Sequence, residues 1–145
     1  MVMNLKLQHD DGNPLSQPAQ YRELVGVLVY LSAIRPNITY TVHILSQFVS
    51  SPTSIHYAAL IQALQYLHGT IRQSLFSPSD SSLSLHAYSY AGWADDVDTR
   101  RSTTGYFIFM GSSLISWHSK RQAIISFSSM ESRYRVLADT TVDLK

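Results

Sequence analysis

The sequence contains no cysteine, which removes disulfides, thiol nucleophiles and cysteine-based zinc sites together. Charge is also scarce. Asp, Glu, Lys and Arg make up 14% of the residues, against about 25% in an ordinary globular domain. So few charges solvate a free surface poorly, and suit a piece of a larger assembly whose other parts cover apolar faces. The net charge of +1 excludes a global basic field for nucleic acid. The longest apolar run, Leu24 to Leu31, is far short of the ~20 residues needed to cross a bilayer. The polar opening, Met1 to Gly12, lacks the apolar stretch of a signal peptide. An intracellular, soluble chain with no membrane partner is therefore expected. No Gly-x-Ser-x-Gly elbow, phosphate-cradling glycine loop or zinc-hydrolase histidine pair occurs, and no small-molecule substrate is evident.

Positive charge gathers late, in Arg100, Arg101, Lys120, Arg121, Arg133 and Arg135, with only Asp98 and Glu131 opposing it from 98 to 135. A local basic surface and a scattered solvated set both fit that pattern.

The hydrophobic period changes along the chain. After an extended lead-in, Met1 to Pro18, the residues Tyr21, Leu24, Val25, Leu28 and Leu31 recur at helical spacing. Val27, Val29 and Tyr30 make that helix apolar nearly all round, which predicts burial. Pro36 suits the first turn of a second helix, with Ile38, Val42, Leu45 and Val49 on one face. A third carries Tyr57, Leu60, Ile61, Leu64 and Leu67, with Gly69 as its cap. The polar stretch Ser77 to Ser82 is a boundary. Beyond it Leu83, Leu85 and Ala87 alternate with polar residues, as in a half-buried strand. Gly105 to Met110 and Leu114 to His118 flank a turn at Gly111, predicting a hairpin, and Ala123 to Phe127 would extend the sheet. A last helix starts near Ser128, with Met130, Tyr134 and Leu137 on one stripe.

These elements carry an ordered series of motifs. Tyr21-Arg22-Glu23-Leu24-Val25-Gly26, Arg35-Pro36-Asn37-Ile38, Leu45-Ser46-Gln47-Phe48, Pro52 with His56, and Tyr66-Leu67-His68-Gly69-Thr70 come first. Asp98-Thr99-Arg100-Arg101-Ser102-Thr103-Thr104-Gly105-Tyr106, Ile115-Ser116-Trp117, Ser119-Lys120-Arg121-Gln122 and Ser128-Ser129 before Glu131 follow. The series resembles the Pol polyprotein of copia-type LTR retrotransposons, from the end of the reverse transcriptase into the ribonuclease H.

That resemblance implies hydrolysis of the RNA strand in an RNA–DNA hybrid by two magnesium ions, which converging carboxylates must hold. The family's first strand reads Ser-Asp-Ala-Asp-Trp-Ala, where this chain has Ser89-Tyr90-Ala91-Gly92-Trp93-Ala94. A neutral phenol is a poor magnesium ligand and glycine offers none. The helix carboxylate persists as Glu131, but the next expected acid is Arg133. The expected cofactor set is therefore none, with magnesium belonging to the parent family, and no metal site is predicted. Glu131 is a vestigial catalytic residue, and with Ser128 it fits a capping box better than a metal site. Asp95 and Asp96 lie in the following turn, displaced from the lost aspartate. Lys120 and Arg121, with Arg100 and Arg101, are the candidate nucleic-acid contacts, since the resemblance brings their region to the hybrid. Trp93 and Trp117 are read as core.

The expected fold is α+β: three helices over 1–76, akin to the end of the reverse transcriptase, then an incomplete ribonuclease H-like unit over 83–145. The latter comprises antiparallel hairpin strands and one helix, with an uncovered edge. The expected function is a Pol fragment without catalysis of its own. The alternatives are a module that weakly binds an RNA–DNA hybrid or other nucleic acid, and a magnesium-dependent ribonuclease H completed by a partner chain.

Overall fold

A computed structural model describes residues 7–144, and the chain divides into two compact units between Ser74 and Leu75. The first six residues of the expected lead-in fall outside the described residues.

The first unit is helical: α1 (Pro18–Ser32), a 3-10 turn (Pro36–Ile38), α2 (Thr39–Ser46) and α3 (Ser54–Gly69). Pro18 and Pro36 each open their element, where the missing N–H costs nothing. Tyr21, Val25 and Leu28 from α1 meet Ile38, Val42, Leu45, Phe48 and Leu60 in one core. The Tyr21 hydroxyl donates to the Leu45 carbonyl at 2.8 Å, and burial pushes its ionisation well above the ordinary range.

His56 belongs to this core. It is fully buried and stacks on Phe48, with centroids 3.9 Å apart. Its Nδ1 accepts the Thr53 backbone N–H at 3.0 Å, at the start of α3. The ring proton therefore sits on Nε2, which donates to the Gln8 carbonyl at 3.0 Å. His56 thus takes the place usually held by Glu or Gln in a capping box.

Two helix expectations need correction. The apolar flank of α1 is not covered: Val27, Val29 and Tyr30 are exposed, Tyr30 at 79%. In α3 the buried face is His56, Ala59, Leu60 and Ala63, not the bulky stripe through Leu64 and Leu67, which is only partly buried. Small side chains at Ala59 and Ala63 leave room for a neighbouring helix to approach closely, which a count of bulky residues misses.

The second unit holds β1 (Leu85–Gly92), β2 (Thr103–Met110), β3 (Ser113–Arg121) and α4 (Ser129–Asp143). The strands form an antiparallel sheet in the order β1-β2-β3. Gly111 turns the β2–β3 hairpin at φ +58°, where a Cβ would run into Ser81 and Ser82. Ser81 Oγ in turn accepts the Ser112 N–H at 2.9 Å. β3 carries a bulge at Ile115, because Phe109 pairs with Leu114 and Ile108 with Ser116.

Helix α4 packs on β1 and β2 and buries Ser132, Val136 and Thr140. The stripe read from the sequence, Met130, Tyr134 and Leu137, faces solvent instead. Tyr106, Ile108 and Val136 form the apolar centre of this unit. Leu83 and Leu85 are exposed rather than half-buried, and residues 123–127 bend into a connection and do not extend the sheet. No helix among the described residues is long and apolar enough to cross a membrane.

Candidate functional site

Strand register gathers the candidate residues at one end of the sheet. Gly92 of β1 pairs with Thr103 of β2, and Thr103 pairs with Arg121 of β3. Ala91, Thr104 and Lys120 form the adjacent row. The loop carrying Arg100 and Arg101 joins β1 to β2 at this same end.

Asp96 organises that loop. Its Oδ1 accepts the backbone N–H groups of Asp98 and Thr99 at 3.0 and 3.1 Å, and Oδ2 accepts the Thr99 hydroxyl at 2.6 Å. Arg121 Nη1 donates to the same Oδ2 at 2.6 Å. The Asp96 backbone adds two bonds: its carbonyl accepts from Arg100 N–H, and its N–H donates to the Arg101 carbonyl. Arg100 and Ala94 take left-handed backbone angles, φ 56° and 52°, an uncommon state for residues with a side chain. Burial raises the Asp96 carboxyl, but the hydrogen bonds from Thr99 and Arg121 and the guanidinium charge outweigh it, holding it down at about 2.

Glu131 spends its carboxylate on its own helix. Ser128 Oγ accepts the Glu131 N–H at 3.1 Å, while Glu131 Oε2 accepts the Phe127 N–H at 2.9 Å. This is a capping-box variant whose return bond reaches the residue before the cap. Oε1 takes both Arg135 Nη2 at 2.7 Å and Arg135 Nε at 3.2 Å. The bonds from Arg135 and Phe127 hold the carboxyl below its usual range.

The two positions where carboxylates were expected offer nothing to a divalent cation. Tyr90 is a phenol 66% exposed to solvent. A Cβ at Gly92 would collide with the Asp95 carboxylate, so Asp95 fills the space that a side chain at 92 would need. No group of three or more His, Asp or Glu among the described residues could hold a metal ion. The residues present do not fit a two-magnesium centre.

The four predicted cations share the end of the sheet but not their state. Arg121 is tied to Asp96, whereas Lys120, Arg100 and Arg101 make no side-chain ion pair among the described residues. A cleft of about 320 Å³ beside Lys120 and Arg121 is also lined by Gln122, Arg135 and Asp139. The adjoining cleft, about 420 Å³, brings Tyr106, His118, Lys120, Asp139 and Asp143 together. Burial there pushes the Tyr106 hydroxyl up to about 12, helped by a hydrogen bond to Asp143 and its charge. Trp93 is 51% exposed rather than core, and its Nε1–H donates to the Ser126 carbonyl at 3.0 Å.

The Asp96–Arg121 pair and the Tyr106–Asp143 contact were not legible in the sequence, because each joins residues 25 or more positions apart. The Glu131–Arg135 pair was legible as an i, i+4 spacing.

The motif residues that run along both units point to a segment of a retroelement polyprotein. The retrovirus-related Pol polyproteins from transposons RE2 and RE1 of Arabidopsis thaliana are each 43% identical to this chain over 145 residues. They match it over its whole length, and it spans about 10% of theirs. Secreted RxLR effector protein 161 of Plasmopara viticola is 38% identical over 122 residues, which are 83% of this chain and 86% of that protein. No protein-family model and no solved structure matches the chain. The chain belongs to the family of copia-type retrotransposon Pol polyprotein sequences.

Proposed function

We propose that this chain is the stretch of a copia-type Pol polyprotein where the reverse transcriptase gives way to ribonuclease H, and that it does not cleave RNA by itself. The observation that carries the second part is the state of Glu131. Its Oε1 accepts from Arg135 of α4 and its Oε2 from the Phe127 N–H before the cap, and the neighbouring strand offers Tyr90 and Gly92 in place of acids. Two-metal hydrolysis needs carboxylates that converge on the ions. The experiment is cleavage of a labelled RNA–DNA hybrid by the purified chain in magnesium or manganese buffer. No product above background is expected. Metal-dependent cleavage lost in Glu131→Gln would overturn the reading and favour a working ribonuclease H.

A second reading is favoured by one observation: Lys120, Arg100 and Arg101 stand at one end of the sheet and make no side-chain ion pair among the described residues. The chain then holds nucleic-acid backbone there. It predicts hybrid binding that weakens steeply with salt and is reduced when Lys120, Arg100 and Arg101 are changed to alanine.

A further inference from the structure

The lead-in before α1 is fastened to the start of α3 around one buried imidazole. The Asn13 carbonyl accepts the Ser54 N–H at 2.8 Å, and the Leu15 N–H donates to the Pro52 carbonyl at 3.1 Å. Gly12 passes so close that a Cβ there would strike Ser54 Oγ. His56 makes the third attachment, since its Nε2–H donates to the Gln8 carbonyl at 3.0 Å while Nδ1 accepts the Thr53 N–H. The ring is fully buried against Phe48. Every one of these bonds requires a neutral ring.

We propose that His56 is an acid-operated release for this lead-in: a proton on Nδ1 unseats the start of α3 and frees Leu7 to Leu15 from it. A proton there turns the acceptor into a donor that faces the Thr53 N–H. Thr53 Oγ1, also 3.0 Å from Nδ1, can accept that proton, yet the buried Thr53 N–H still loses its partner. The imidazolium would also be held out of water, whereas the released ring is solvated. The released state therefore binds the proton more readily, and falling pH favours it by up to about tenfold per unit. The charged and titratable groups whose contacts reach this corner come from the lead-in and α1. Asp11 favours a cation, but its Oδ2 already accepts the Gln8 N–H at 3.1 Å. Arg22, bonded to the Val49 and Ser50 carbonyls, opposes one. His9 packs on Phe48 at 4.9 Å, and the Tyr21 hydroxyl donates to the Leu45 carbonyl.

The test is a pH titration of the full chain by NMR, with the histidine ring nitrogens and the backbone amides labelled. At neutral pH the His56 ring should carry its proton on Nε2. Between about pH 4.5 and 6.5, where a solvated imidazole becomes charged, the amides of Gln8, Asn13, Leu15 and Ser54 should move together with the His56 ring. His56→Gln keeps an acceptor at the capping-box position and cannot titrate, so its lead-in should stay bound over the same range. His9→Gln and Asp11→Asn should leave the step in place. Should His56→Gln not fold, the natural chain still decides, through the match between ring and amide midpoints. Charging of the His56 ring without movement of those amides overturns the proposal. So does a step that persists in His56→Gln, or one that His9→Gln or Asp11→Asn removes.

Discussion

Asp96 and Arg121 meet at 2.6 Å between Oδ2 and Nη1, joining the loop after β1 to the last residue of β3. The Asp96 side chain is only 11% exposed, so the pair is shielded more than an ordinary surface bridge. It closes the open end of the sheet, where Arg100 and Ala94 hold unusual backbone angles.

The first prediction concerns acid. The Asp96 carboxyl is depressed in the folded state, from 3.8 to about 2. A depressed carboxylate contributes stability above its unfolded value, which is lost as pH falls through the folded one. The melting temperature should therefore drop between about pH 4 and pH 2 more in the natural chain than in Asp96→Asn. Equal losses in both would show that the pair contributes nothing.

At the other end of the scale stands Tyr106. Its phenol is raised from 10.0 to about 12, first by burial and then by Asp143. A raised group contributes stability that is complete below its unfolded value and lost as pH rises through the folded one. Denaturant titrations between pH 10 and 12 should show stability falling in the natural chain and falling less in Tyr106→Phe.

Ser132 is fully buried, and its Oγ has no hydrogen-bond partner among the described residues. A buried hydroxyl left unsatisfied costs about 1–3 kcal/mol, and alanine is the better helix former. Ser132→Ala should raise stability by about 1 kcal/mol, which urea unfolding measures. Lower stability in that variant would mean the hydroxyl is satisfied after all.

The orientation of α4 can be checked on adjacent residues. Val136 is 1% exposed and Leu137 is 52% exposed. Val136→Ala should destabilise the chain by about 2 kcal/mol through the cavity it leaves. Leu137→Gln should change stability by less than about 0.5 kcal/mol, as exposed substitutions do. The reverse order would place the bulky stripe inward, as the sequence pattern suggested.

Much of the chemistry was legible in the residues. Glu131 with Ser128 announces its cap by local spacing, and Tyr90 with Gly92 by identity alone puts no carboxylate at those positions. The cations at 100, 101, 120 and 121 could be named but not sorted. Only the return of β3 beside the β1–β2 loop shows that Arg121 is engaged with Asp96 while Lys120 is not.

The sequence by itself determined the order of helices and strands, the break in period near Ser77, and the family, because periodicity and motifs are local properties of the chain. The tertiary structure decided which faces are buried. Bulky apolar residues at Val27, Leu85, Met130 and Leu137 mark faces able to be covered, and hydrophobic spacing identifies such faces wherever their partners lie. In this chain those faces are exposed, whereas Ala59, Ala63, Ser132 and Thr140 are buried. Close approach between elements requires small side chains, and small side chains leave almost no hydrophobic signal to read.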